Sequence, residues 1–70
     1  MKGKVANAVR ERRLDADLTQ ERLGALAGVS RQSVISIESG RYVPSLILAL
    51  RLARIFGCST DALFQLEGED

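Results

Sequence analysis

The sequence predicts an all-α domain: five short helices around one small core. Apolar residues recur at helical spacing in almost every segment, and no stretch shows the strict alternation of a half-buried strand. Only three of the 70 residues are aromatic. Helix start and stop residues punctuate the chain at short intervals, with Thr or Ser ahead of the apolar-periodic runs and Gly behind them.

The first helix is expected over Lys4–Asp15. Val5, Val9 and Ala16 form its inner stripe, with Ala6, Arg13 and Leu14 along the edges. Asp17 stands where the chain must turn; Gly is commoner at such a stop, but Asp tolerates a left-handed backbone better than most residues. Thr19 caps a second helix whose inner face is Leu23, Leu26 and Ala27, with Glu21 well placed in its first turn; it stops at Gly28. Ser30 caps a third, Arg31–Glu38, which buries Val34 and Ile37 and ends at Ser39-Gly40. Ser45 caps the fourth, Leu46–Phe56, apolar almost all round, and Gly57 stops it. Ser59 caps a short fifth, Thr60–Leu66. Residues 1–66 make one domain, and 67–70 are an acidic tail expected to fray.

Seventy residues support one core worth only a few kcal/mol of net stability. Cys58 is the single cysteine and there is no histidine, so no internal disulfide and no Cys/His zinc site can form. No apolar run follows the charged Met1–Lys4 segment, so a signal peptide is not expected. The most apolar window, Val43–Phe56, is interrupted by Arg51 and Arg54 and falls short of the ~20 residues of a membrane span. The expected setting is the cytoplasm, without membrane contact. Net charge is +1, yet residues 1–60 carry ten basic and five acidic residues while Asp61, Glu67, Glu69 and Asp70 crowd the last ten positions. A basic body suits a polyanionic partner, although plain solubility accounts for the acidic tail equally well.

The chemistry concentrates in "LTQERLGALAGVSRQSVISIESG", Leu18–Gly40. Two helices of eight or nine residues, separated by three or four residues containing Gly, have helix-turn-helix spacing. Gly28 supplies a positive φ without a Cβ penalty, Val29 plugs the angle between the helices, and Gly24 lies on the face that crosses the third helix. A mid-helix Gly costs about 0.5–1 kcal/mol relative to Ala, tolerable where a side chain would push the partner helix away. The third helix is split in character. Val34 and Ile37 anchor it, while Arg31, Gln32, Ser33 and Ser36 fall on its outward face and N-terminal end. By composition alone that is a solvated face; in this spacing the same positions meet base edges when the helix lies in a major groove. Arg pairs bidentately with guanine, Gln with adenine, and Ser with either.

These residues carry a resemblance. "LTQ…LA…GVSRQ…I…IESGR…PSL…L…A…FG" is similar to the lambda-repressor/Cro-like, or XRE, family of bacterial and phage transcription regulators, over about residues 5–66. The resemblance implies a compact five-helix lambda-repressor-like DNA-binding domain with its helix-turn-helix at helices two and three. It implies that Arg31, Gln32, Ser33 and Ser36 read bases. It also implies that Gln20, the Ser39–Gly40–Arg41 segment and Arg10 meet phosphates, and that Arg13 and Glu38 form a buried ion pair joining helices one and three. Relatives pair through the C-terminal part of the domain, which places a homodimer interface on Ile47, Phe64 and Leu66. The chain departs from the family at Asp17, usually Gly, and at Ile35 and Ile47, where relatives often carry polar residues. Ile35 can touch a thymine methyl or be merely half-buried.

The expected function is that of a sequence-specific DNA-binding regulator, a repressor, binding a palindromic operator as a dimer through its third helix. No cofactor, metal or small-molecule ligand is expected. An adaptor that keeps the fold without binding DNA is the alternative, and the presence of Gln20, Arg31, Gln32 and Arg41 argues against it. An enzyme would need a His, a carboxylate cluster or a phosphate loop that the sequence lacks.

Overall fold

Lys4–Asn7 is too short to show a period, and in the computed structural model, which describes residues 4–67, it is a strand, β1. Five helices follow: α1 Val9–Asp15, α2 Gln20–Ala27, α3 Arg31–Glu38, α4 Leu46–Phe56 and α5 Thr60–Leu63. A second strand, β2, Phe64–Glu67, returns to pair with β1. The pairing is antiparallel, with Val5 opposite Leu66 and Asn7 opposite Phe64. Ala8 N–H donates to the Leu63 carbonyl at 2.9 Å and carries the ladder one step further.

The domain is therefore helical with a small two-stranded ribbon, not strictly all-α. The first helix starts at Val9 instead of Lys4, and the fifth ends at Leu63 instead of Leu66. Asn7 makes the first break. Its Oδ1 accepts from Val9 N–H (3.1 Å) just ahead of α1, and its Nδ2 donates to the Ile37 carbonyl (2.9 Å), tying the ribbon to α3. Glu67, expected to open the acidic tail, lies in β2; the rest of that tail, residues 68–70, lies outside the described region.

Local chemistry sets the remaining boundaries. Thr19, Ser30, Ser45 and Ser59 each accept, through the side-chain oxygen, the amide three residues on. Three helices end in the same hydrogen-bonded turn. After α1, Leu18 N–H reaches Arg13 O and Asp17 N–H reaches Leu14 O; after α3, Arg41 reaches Ser36 O and Gly40 reaches Ile37 O; after α4, Cys58 reaches Ala53 O and Gly57 reaches Arg54 O. Gly40 and Gly57 hold the left-handed position in two of them, and Asp17 (φ 62°) holds it in the first. Asp17→Gly is therefore expected to stabilise the domain by about 0.5–1 kcal/mol, read as a raised urea midpoint with an unchanged slope.

The core is Val9, Leu23, Ala27, Val34, Ile37, Leu48, Leu52, Ala53 and Leu63. In α1 the buried pair is Val9 and Arg13; Ala16, expected on the inner stripe, faces solvent, whereas Arg13, expected at its edge, is buried. In α2, Leu23, Gly24 and Ala27 are buried, and Leu26, expected on the inner face, is exposed. The reason is the turn: Val29 N–H bonds the Gly24 carbonyl (2.9 Å), and a Cβ on Gly24 would stand 2.7 Å from the Val29 oxygen. Helix α2 meets the turn backbone at Gly24, so the crossing leaves Leu26 outside.

Candidate nucleic-acid interface

Helix α3 is clamped from one side and open on the other. Val34 and Ile37 are buried, whereas Arg31 and Gln32 are exposed and Ser33, Ile35 and Ser36 are half-buried. Ser30 caps the helix through Ser33 N–H, and its hydroxyl also donates to Ser33 Oγ (3.1 Å).

The C-terminal end of α3 is held by a buried network. Glu38 Oε2 accepts from Arg13 Nε at 2.6 Å, and Glu38 Oε1 accepts from Arg13 Nη2 at 3.3 Å, with the two side chains 10% and 6% exposed. Arg13 Nη1 also donates to the Leu18 carbonyl (2.9 Å). One guanidinium thus joins α1, the α1–α2 turn and α3. Gln20 Nε2 donates to the same Glu38 Oε1 (3.2 Å), so the first residue of α2 braces the last residue of α3. Among the described residues no buried side-chain polar atom lacks a partner. Buried charge is tolerated only when satisfied in this way. Electrostatically, the only acidic residue of α3 is neutralised inward on Arg13, and the open face carries Arg31.

The segment after α3 turns at Gly40 (φ 81°), where Ser36 O accepts the amides of both Arg41 and Tyr42. Ser39 Oγ is engaged with Ser36 O (3.1 Å), while Ser39, Gly40 and Arg41 are all exposed. Arg10 is exposed on α1. The structure brings Gln20, Arg13 and Glu38 into one cluster. Among the described residues, Arg31, Gln32 and Arg41 have no side-chain partner, and they stand along and just beyond α3.

Three residues named for pairing are not equivalent. Ile47 and Leu66 are 66% and 58% exposed, but Phe64 is half-buried and packs on the core. Ile47 lines one groove with Leu50, Arg54 and Cys58; Phe64 lines another with Val5, Val43 and Leu46. Val43 and Leu46 are themselves exposed. Residue reading missed Asn7 and Tyr42, each of which touches α3. An Asn ahead of an apolar run is an N-cap signal, and that signal was available at Asn7.

Two helices crossing at a Gly-containing turn, the second clamped and offering an open polar face, define a helix-turn-helix DNA-binding domain. The family model described as Helix-turn-helix matches residues 9–63, and the chain belongs to that family, of the XRE type. Over 64 residues it is 45% identical to the uncharacterised HTH-type transcriptional regulator YgzD of Bacillus subtilis, covering 91% of this chain and 97% of that one. Over 49 residues it is 55% identical to an HTH-type transcriptional regulator of Methanothermobacter thermautotrophicus, covering 70% and 71%. Among solved structures it is similar to the P22 c2 repressor protein in complex with a synthetic operator (TM-score 0.74, 30% identity, 76% and 80% covered). It is also similar to the restriction-modification controller protein C.AhdI from Aeromonas hydrophila (TM-score 0.71, 33% identity, 77% and 82% covered). The protein is a DNA-binding transcriptional regulator of lambda-repressor-like fold and not an enzyme. No helix among the described residues is long and apolar enough to cross a membrane.

Proposed function

We propose that the protein represses transcription from the cytoplasm by binding a palindromic operator as a homodimer, with α3 of each protomer in the major groove. The observation that carries this reading is the division of α3: one side held by Val34, Ile37 and the Arg13–Glu38–Gln20 network, the other presenting Arg31 and Gln32 to solvent. A reading helix must be rigid on one side and unsatisfied on the other. Arg31, Gln32, Ser33 and Ser36 meet base edges. Gln20, Ser39, Gly40, Arg41 and Arg10 meet phosphates and set the register. Gln20 does both jobs, since an amide with one N–H on Glu38 keeps a second for a phosphate. Pairing through Ile47, Phe64 and Leu66, with the neighbouring Leu46, sets two reading helices about one DNA turn, ~34 Å, apart. Operator occupancy then excludes the transcription machinery.

In vitro selection from random DNA, followed by mobility shifts over a salt series, tests the assignment. Arg31→Ala and Gln32→Ala are each expected to lose about 1–3 kcal/mol of specific affinity and relax one or two base positions. Arg41→Ala is expected to weaken specific and non-specific binding alike and lower the salt slope by about one. A sequence logo unchanged by Gln32→Ala would show that α3 does not read bases. Absence of any salt-dependent DNA binding would favour the adaptor.

A further inference from the structure

Tyr42 has no role in the reading above, yet it borders the open face of α3. The turn at Gly40 reverses the chain, and the Ser36 carbonyl, by accepting Arg41 N–H (3.0 Å) and Tyr42 N–H (3.2 Å), fixes the tyrosine backbone beside the last turn of the helix. The side chain then forms a shallow notch with Ser30, Gln32, Ser33 and Ser36. Tyr42 remains 44% exposed. Arg41 does not line this notch. The notch joins the tyrosine to Gln32, Ser33 and Ser36, three of the four residues assigned to base edges.

The notch has an aromatic wall on one side and hydrogen-bonding groups on the other. Ser30 and Ser33 share a hydroxyl–hydroxyl hydrogen bond (3.1 Å), and a hydroxyl is both donor and acceptor, so the notch they line can offer a donor. Of the four bases, thymine alone presents an apolar group on its major-groove edge: a C5 methyl beside the O4 acceptor. A ring to cover the methyl and a hydroxyl to donate to O4 match that edge. Cytosine offers an amino donor and no methyl, and so leaves the ring uncovered.

Resting on the reading that α3 enters the major groove, we propose that Tyr42 is a specificity-determining residue and that this notch is a thymine subsite. The ring carries the discrimination and the phenolic hydroxyl does not take part.

The test uses the selected operator with each thymine replaced singly, in both half-sites, by uracil, which removes only the methyl. For the wild type, uracil at one symmetry-related position is expected to weaken binding about fourfold per half-site, the factor for losing one buried methyl. Tyr42→Ala is expected to bind the thymine operator more weakly and to be indifferent to uracil at that position. Tyr42→Phe is expected to match the wild type in affinity, salt slope and uracil response. The proposal is overturned if Tyr42→Phe loses affinity and salt slope, which would put the hydroxyl on a phosphate. It is also overturned if Tyr42→Ala responds to uracil as the wild type does. If the wild type selects no sequence at all, base reading itself has failed; if it selects one and the Tyr42 variants leave it unchanged, only the thymine subsite has.

Discussion

Glu38→Ala is expected to destabilise the domain by about 3–5 kcal/mol. The carboxylate accepts from Arg13 Nε, Arg13 Nη2 and Gln20 Nε2, in a site where both charged side chains are at most 10% exposed. Removing it strands a buried positive charge that water reaches poorly. A domain of this size has a margin of only a few kcal/mol, so the variant should be largely unfolded at 25 °C. The loss reflects the stranded charge more than the strength of the pair. Arg13→Met combined with Glu38→Leu, which removes both charges and keeps the volume, should therefore be less damaging than Glu38→Ala alone. Urea melts of the wild type, the single variant and the double variant make the comparison. Equal, small losses in both variants would show that solvent reaches the pair. The same network positions α3, so the double variant should fold yet read its operator less sharply, because Gln20 loses its acceptor.

Leu66→Asp is expected to convert a dimer into a monomer and to lower operator affinity by about 10²–10⁴, the gain that linking two half-site contacts provides. Val43, Leu46, Ile47, Leu50 and Leu66 are each more than half exposed, which leaves apolar side chains available for pairing. Leu66 is the cleanest probe of it. Phe64 packs on the monomer's own core, so an aspartate there would mix unfolding with loss of pairing. Leu66 sits on the ribbon opposite Val5 and on the same face as Phe64, by the alternation of a strand. Sedimentation equilibrium should give twice 7.6 kDa for the wild type and 7.6 kDa for the variant. Thermal stability should depend on protein concentration only in the wild type. A wild type that sediments as a monomer at all concentrations, with Leu66→Asp binding DNA equally well, would end the proposal of a homodimer through this face.

The parts of the fold legible in the sequence are those made by short-range chemistry. The boundaries of α3 and α4 follow from residues that act three to five positions away: Ser30 and Ser45 on the amides ahead of them, Gly40 and Gly57 on the carbonyls behind. The left-handed backbone at Asp17 was legible for the same reason. The ribbon was not. Each strand has four residues, too few to show a period of two, and its partner lies at the other end of the chain. Without that partner, Lys4–Asn7 and Phe64–Leu66 read as extensions of the neighbouring helices. Asn7 carried a local signal, an Asn ahead of an apolar run, but its bond to the Ile37 carbonyl has meaning only where the ribbon and α3 meet.

The position of the helix-turn-helix, and the side of α3 that carries Arg31, Gln32, Ser33 and Ser36, were already written in the residues, since helical period and the Gly28 turn leave little choice. It took the packed domain to show that Leu26 stays outside, that Gln20 shares Glu38 with Arg13, that Phe64 serves the core while Leu66 is exposed, and that Tyr42 folds back beside α3. Each of those outcomes depends on the angle at which one element crosses another. That angle is set by the packing of several elements together, and no single segment encodes it.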